Sequence, residues 1–384
     1  VKSIRVAYVA VNSPYRLSSW SGIPHFALKE LSRRFSDLHV IDTPWLDARL
    51  DRLSAAIRIG IMPMREPLVT RLFERILNSR LAAIKPDILV SIGAAHKVSR
   101  ISPNLPLIHV SDGMFSTVIG YYPRYLGLSS RSREIGRDVQ ADVVRRASAI
   151  AVASDWAAHC ASEEYPCAAS KIHVVPLGAN LETPPAAAPP RTVGGPLKLL
   201  FVGYDWKRKG GDVVLSVFKR LRAHLKDAEL HIVGCSPREA RGVAGVVQHG
   251  QLRKDVPEQQ RKLVQLFTQA NFLFVPSRYE TYGLVFCEAS AFGLPSITVR
   301  TGGIPTIIKD GVNGLLFSPE ASVETYVERI LRCWRDADGY DRLQRAARSE
   351  YETRLNWRSW GASIQGLIDQ AVEAPPSAGE RVKP

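Results

Sequence analysis

A chain of 384 residues exceeds what one hydrophobic core ordinarily organises and suits two domains of about 150–200 residues each. Its 45% apolar content is that of a globular chain and excludes disorder as its main state, while the lack of an apolar run of about 18 residues excludes a transmembrane helix. Five scattered cysteines, at 160, 167, 235, 287 and 333, match no zinc or redox spacing and read as reduced packing residues. The formal net charge of +14 leaves open nucleic acid, an anionic membrane face, phosphate-bearing ligands, or simply a basic proteome.

The first residues, VKSIRVAYVAVNS, run straight into an apolar strand at 4–11 and carry no small-residue cleavage site, so they read as fold and not as a secretion signal. Residues 22–35 have helical spacing, with Ile23, Phe26, Ala27, Leu31 and Phe35 on one face. Further strands are expected at 38–41, 88–92, 107–110, 149–153 and 172–175, the last closed by Pro176 and Gly178. Between Arg49 and Arg80 seven arginines face three acids in a pair of amphipathic helices interrupted at Pro63 and Pro67. Such a pair suits a packed layer with a solvated basic face, or a surface that lies on an anionic membrane.

Pro, Ala and Gly dominate residues 181–196, LETPPAAAPPRTVGGP, and mark a linker. Strands resume at 199–202, 229–233, 245–248, 271–275 and 296–299, each beginning or ending a helical segment. One helical stretch is expected over 322–355, a final helix over 356–373, and an aperiodic, disordered tail over 374–384. Alternation of this kind predicts α/β architecture with two doubly wound, Rossmann-like domains, 1–180 and 197–355. No G-x-G-x-x-G follows the first strand, which disfavours a dinucleotide oxidoreductase.

The most informative stretch is PSRYETYGLVFCEASAFGLP, residues 276–295, with Glu280 and Glu288 eight positions apart. The run NFLFVPS before it reads as a buried strand, and GLVFCEASAFG after it as a helix. Strand, short loop and helix N-terminus leave backbone N–H groups free to meet an anion. Carboxylates beside them accept hydroxyl hydrogen bonds, so the site suits a polyol carrying phosphate, such as a nucleotide-sugar.

This stretch resembles the E-x7-E signature of the retaining glycosyltransferases of family 4. Gly302 and Gly303, fourteen residues on from Glu288, and the turn DGVNG match the same family, as does LKLLFVGYDWKRKGGDVVLSVF at 197–218. The resemblance implies a GT-B fold, two Rossmann-like domains facing each other across a cleft that holds the donor at the strands' carboxyl ends. It also implies that the last helix crosses back to the N-terminal domain, anchored by Trp357 and Trp360. In such enzymes a departing diphosphate is stabilised by cations and helix dipoles without a metal. The Lys-Gly match gives that role to Lys209. The usual Arg after the strand's glycine, Gly203, is here Tyr204, so Arg208 and Lys207 are the candidates to replace it.

By motif position Glu280 binds donor-sugar hydroxyls and Glu288 takes the ribose. The amides of Tyr282, Gly283 and Leu284 face sugar and phosphates, with Gly234 near the nucleotide and the loop 249–255 flanking the base. In the N-terminal domain Ser21-Gly22 resembles the glycine loop that approaches the donor phosphate. Asp112, after the fourth strand, is the candidate to touch sugar or acceptor, and His109 is read as a core residue. The implied donor is a UDP- or GDP-sugar, a co-substrate with no cofactor or metal beside it. The implied acceptor is a glycan, a lipid-linked glycan or a small molecule, and the departing phosphate oxygen takes the acceptor's proton. No nucleic acid is expected as a partner, and the expected location is cytoplasmic, with the basic 49–80 stretch available to the inner membrane face. Tyr204 keeps a catalytically silent scaffold open. So do two further readings stay open: a sugar-nucleotide isomerase or phosphorylase of the same fold, and a basic nucleic-acid-binding protein.

Overall fold

Apolar strands alternate with amphipathic helices along the chain and assemble into two six-stranded sheets in which every described pairing is parallel. The computed structural model describes residues 3–56, 60–102, 104–191 and 193–373. The expected tail at 374–384 and Arg58 of the basic stretch lie outside them. Two compact units divide the chain: Val1–Val175 with Trp360–Pro384, and Pro176–Ser359.

The first unit runs β1 (Val6–Ala10), α1 (Ile23–Arg34), β2 (Leu38–Val40), α2 (Pro44–Ala56), α3 (Pro67–Ile84), β3 (Ile88–Ile92), α4 (Ala95–Val98), β4 (Leu107–Ser111), α5 (Phe115–Tyr121), α6 (Ser130–Arg146), β5 (Ala149–Val152), α7 (Asp155–Glu164) and β6 (Ile172–Val174). Its strand order is β2-β1-β3-β4-β5-β6. β1, β3 and β4 are buried at every position, as expected of parallel strands covered on both faces. Phe73, Leu77 and Leu81 recur at four-residue spacing on α3 and enter one core with Leu46 and Leu50 of α2.

The outer faces of α2 and α3 are basic and apolar together. Trp45, Leu53, Leu68 and Leu72 are exposed, with Arg49 and Arg52, and Arg71 and Arg75, exposed between them. Arg65 departs from that face: it turns inward over the Phe115 ring, 4.2 Å from its centroid, and donates to the Gly136 carbonyl at 3.1 Å.

The second unit runs β7 (Lys198–Val202), α8 (Gly211–Leu221), β8 (Glu229–Val233), β9 (Val246–Gly250), α9 (Pro257–Gln269), β10 (Phe272–Phe274), α10 (Leu284–Ala291), β11 (Ser296–Val299), α11 (Ile304–Ile307), β12 (Gly314–Phe317), α12 (Val323–Arg335) and α13 (Ala337–Thr353). The order is β12-β11-β10-β7-β8-β9. β12 is an edge strand absent from the expected set, and the helical stretch 322–355 is two helices. Asp336 ends α12 and caps α13, its carboxylate accepting the Gly339 N–H at 2.8 Å.

The chain passes between units at Val175–Pro176, ahead of the Pro-rich stretch. That stretch is strapped to the second unit by two arginines, one that collects its carbonyls and one within it that reaches out. Arg348 donates to the carbonyls of Pro185 and Ala186 at 3.0 and 2.9 Å. Arg191, within the stretch, donates to those of Phe267, Ala270 and Phe292 at 2.8, 2.7 and 2.6 Å.

The last helix, α14 (Trp357–Glu373), begins in the second unit and continues in the first. At its start the Trp357 indole donates to Asn180 Oδ1 at 2.9 Å, and the Ala179 N–H donates to the Leu355 carbonyl at 3.0 Å. Further on, Arg34 of α1 donates to Gln365 at 3.0 Å. Trp357 and Trp360 are both buried. Among the described residues no helix is long and apolar enough to cross a membrane.

Candidate functional site

In the second sheet β7 and β10 are neighbours, yet the chain leaves them toward opposite edges: β7 leads to β8, and β10 to β11. A crevice opens beyond the carboxyl ends of two strands wherever the connections diverge in this way. Residues 203–210 after β7 and 275–283 after β10 therefore share one place.

Short-range constraints weld these two loops. Gly210 has φ +73°, and a Cβ there would lie 2.1 Å from the Pro276 carbonyl oxygen, so only glycine allows this approach. The Arg278 N–H donates to the Arg208 carbonyl at 2.8 Å. Both Arg278 terminal nitrogens donate to Asp212 of α8 at 2.8 Å, and that hydrogen bond, with the nearby charge, holds the Asp212 carboxyl below its usual range.

On this frame Lys209 forms an ion pair with Glu280. Arg208 approaches the same Glu280 oxygen at 3.7 Å and donates to the Tyr279 carbonyl at 2.9 Å. Lys207 is exposed, and so is Tyr204. Of the three consecutive cations, the structure thus brings Arg208 and Lys209 to the carboxylate. The Gly303 N–H donates to the Glu280 carbonyl at 3.1 Å, which ties the loop after β11 to the same point. Gly283 precedes α10 at φ +107°, a left-handed conformation that suits glycine.

Glu288 is buried on α10. Its ion-pair partner is Lys254, from the loop after β9, which also donates to the Asn180 carbonyl at 3.1 Å. Sequence reasoning placed the loop 249–255 beside the base without singling out Lys254; its charge within HGQLRKD was the available signal. Gly203 and Gly234 sit at the ends of β7 and β8, with the Gly203 N–H bonded to Val233 and the Gly234 N–H to Gly250, at 2.9 and 2.8 Å. The Tyr282 side chain turns inward, its phenol donating to the Leu177 carbonyl at 2.8 Å. Burial pushes that phenol well above its ordinary pKa and raises the neighbouring Cys287 thiol to about 12, so neither is a reactive group at neutral pH.

Gly22 and Asp112 belong to the first unit. Gly22 precedes α1, and Trp20 and Ser21 before it take φ of 39° and 56°, an unusual run that stores backbone strain. This loop lies at the switch point of the first sheet, where the Trp20 ring fills the space beside Gly93 at the end of β3. Asp112 follows β4 directly. His109 is a core residue: its Nδ1 lies 3.2 Å from Ser91 Oγ, and burial, with the Arg65 charge, lowers its pKa to about 4.

Two sequence families describe most of this chain. The model for Glycosyl transferases group 1 matches residues 187–350, and that for Glycosyltransferase Family 4 matches residues 27–183. The chain belongs to glycosyltransferase family 4. Among curated relatives, a D-inositol 3-phosphate glycosyltransferase of Corynebacterium jeikeium is 28% identical over 277 residues, 66% of this chain and 64% of that protein. The sulfoquinovosyl transferase SQD2 of Arabidopsis thaliana is 31% identical over 167 residues, 41% of this chain and 31% of that protein. The chain spans about half to two thirds of the length of the inositol-phosphate enzymes it matches.

Solved structures agree on the fold. A glycosyltransferase from Rickettsia africae aligns with TM-score 0.66 at 14% identity, over 97% of this chain and 100% of that one. Sucrose-phosphate synthase from Thermosynechococcus elongatus aligns with TM-score 0.65 at 18% identity, over 96% and 98%. Anabaena HepE in complex with UDP aligns with TM-score 0.65 at 14% identity, over 96% and 100%. The two parallel sheets of this family 4 glycosyltransferase are those of the GT-B fold.

Proposed function

We propose that this glycosyltransferase moves a hexose-type sugar, with retention and without a metal ion, from a UDP- or GDP-sugar to an acceptor hydroxyl. The observation that carries the reading is the Lys209–Glu280 pair backed by Arg208 at the β7–β10 switch point. Lys209 and Arg208 both face Glu280, and Arg208 also lies 3.7 Å from the more exposed Asp205, so two cations stand together where a diphosphate would sit. As the bond between the sugar carbon and the phosphate oxygen breaks, charge grows on the diphosphate. Lys209 and Arg208 stabilise it there, and Glu280, released from Lys209, accepts sugar hydroxyls. The acceptor hydroxyl attacks from the face the diphosphate leaves and gives its proton to the departing phosphate oxygen, so no separate base is required.

HepE, which shares this fold, is a UDP complex, so UDP is the first nucleotide to test. A thermal-shift panel of UDP, GDP, ADP, TDP and CMP is the deciding experiment. A ligand at ~100 times its dissociation constant adds ~2.7 kcal/mol of apparent stability. A shift with one diphosphate selects the donor class for a sugar-by-sugar transfer assay; no shift with any of them overturns the reading.

A second element of the proposal concerns the acceptor. The outer face of α2 carries Trp45, Arg49, Arg52 and Leu53, and that of α3 carries Leu68, Arg71, Leu72 and Arg75, all exposed. Apolar and cationic side chains at this spacing favour contact with an anionic lipid surface and hence a lipid-linked acceptor. Sedimentation with phosphatidylglycerol vesicles at low salt, lost in Trp45→Ala/Leu68→Ala, is the expected result; equal recovery of both proteins in the supernatant removes this element.

A further inference from the structure

We infer that Lys254 is a donor-recognition residue that holds Glu288 in the pose that receives the ribose, a role resting on the donor-site reading above. Glu288 is 5% exposed on α10, and a carboxylate so deeply placed stays charged only against a partner. Among the described residues its ion-pair partner is Lys254, 34 positions away in the chain, and that side chain is 30% exposed. The adjacent Arg253 is turned to Asp255, at 2.6 and 3.0 Å, and so does not compete for Glu288.

Two acceptors fix the Lys254 ammonium: the Glu288 carboxylate and the Asn180 carbonyl at 3.1 Å. A surface lysine pairing by chance would not carry a second, main-chain anchor. An ammonium has three N–H groups, so the third is left for a ligand at the partly exposed end of the side chain. The carboxylate in turn is oriented by a bond to one of its oxygens.

Ribose presents two adjacent hydroxyls, and accepting both requires a charged carboxylate held in one orientation. Lys254 supplies the charge balance and the orientation together. It lies on a different loop from Lys209, which faces Glu280. The two signature glutamates thus each have their own lysine, one serving the sugar and diphosphate and the other the nucleoside. Loss of Lys254 is therefore felt in nucleotide affinity and ribose selection, while turnover of bound donor is preserved.

The test is calorimetric titration of the full chain with UDP and GDP, and with the 2′-deoxy counterpart of whichever binds. Wild type is expected to prefer the ribonucleotide by about tenfold, roughly the size of one charge-assisted hydrogen bond. Lys254→Met should bind the ribonucleotide about tenfold more weakly and lose the preference, with donor KM rising and kcat holding. Lys254→Arg should recover part of the preference. If Lys254→Met does not fold, Lys254→Gln, which keeps a donor for the Asn180 carbonyl, carries the same comparison. Full ribose preference in the folded Met or Gln variant overturns the inference and leaves Lys254 a structural tie to Asn180. A wild type that binds ribo- and deoxynucleotide alike also overturns it, while the donor-site reading stands. A wild type that binds no nucleoside diphosphate removes that reading and the inference with it.

Discussion

In the first unit Lys97 lies 2.8 Å from Asp47, and in the second Lys209 pairs with Glu280. Both pairs stand just beyond parallel strands, and their chemistry is the same. Their surroundings differ. Lys97 and Asp47 are 1% and 6% exposed at the side chain, with Thr43 Oγ1 accepting from Lys97 at 3.0 Å and donating to Asp47 at 3.2 Å. Asp42 and Asp51 also act on Lys97, so no cation is left over. Burial pushes the Asp47 carboxyl up and the Lys97 ammonium down, each partly offset by the other. Lys209 and Glu280 keep 12% and 11% exposure, and a second cation stands beside them. Exposure and a neighbouring second cation distinguish this pair from the closed one, and the proposed exchange of Glu280 for a ligand rests on that difference.

The comparison breaks most directly at Lys97. Lys97→Met leaves Asp47 alone in a dry place and should cost about 3–5 kcal/mol of stability, while Lys97→Met with Asp47→Leu recovers most of it. Urea denaturation measures both. The pH dependence has a definite sign: in Lys97→Met the folded Asp47 pKa stands above its unfolded value. The fold then binds more protons than the unfolded chain, so stability falls as pH rises from about 4 through the raised folded pKa. A Lys97→Met protein as stable as wild type at pH 7 would put the two pairs in one class.

Lys209→Met should behave in reverse, keeping its melting temperature and losing about 10²–10³-fold in transfer rate. Unaltered turnover would remove Lys209 from the chemistry. The smallest expected effect separates its neighbours. Arg208→Ala should slow transfer by about tenfold, one charge-assisted contact, and Lys207→Ala should leave it unchanged. Equal losses in the two would mean that facing Glu280 carries no advantage.

Much of this architecture is legible in the sequence. Parallel strands such as VAYVA and ILVSI are buried on both faces, so their apolar runs are continuous and conspicuous. Glu280, Lys209 and the glycines around them stand out by their spacing, and the structure brings Lys209 to Glu280. What stays hidden depends on tertiary placement. The amphipathic period runs on through 322–355 and hides the cap at Asp336, although Asp is a preferred capping residue. Lys207 and Arg208 are equivalent on paper, and the turn before α8 decides that Arg208 faces the carboxylate. Lys254 meets Glu288 only because the loop after β9 and the helix α10 end at neighbouring points. The Pro-rich stretch has a linker's composition, but its carbonyls are held by Arg348, and Arg191 fastens it to the second unit.

The units also differ in how they can be made. The second is contiguous, Pro176–Ser359, whereas the first is completed only from Trp360 onward. During synthesis the strands β1 to β6 emerge first, yet α1 must wait for α14, the helix that brings Gln365 to Arg34. The later-made unit can therefore close while the earlier one is unfinished, with a face of α1 uncovered meanwhile. A chain stopped before α14 would hold every strand of both sheets and still expose part of its first core.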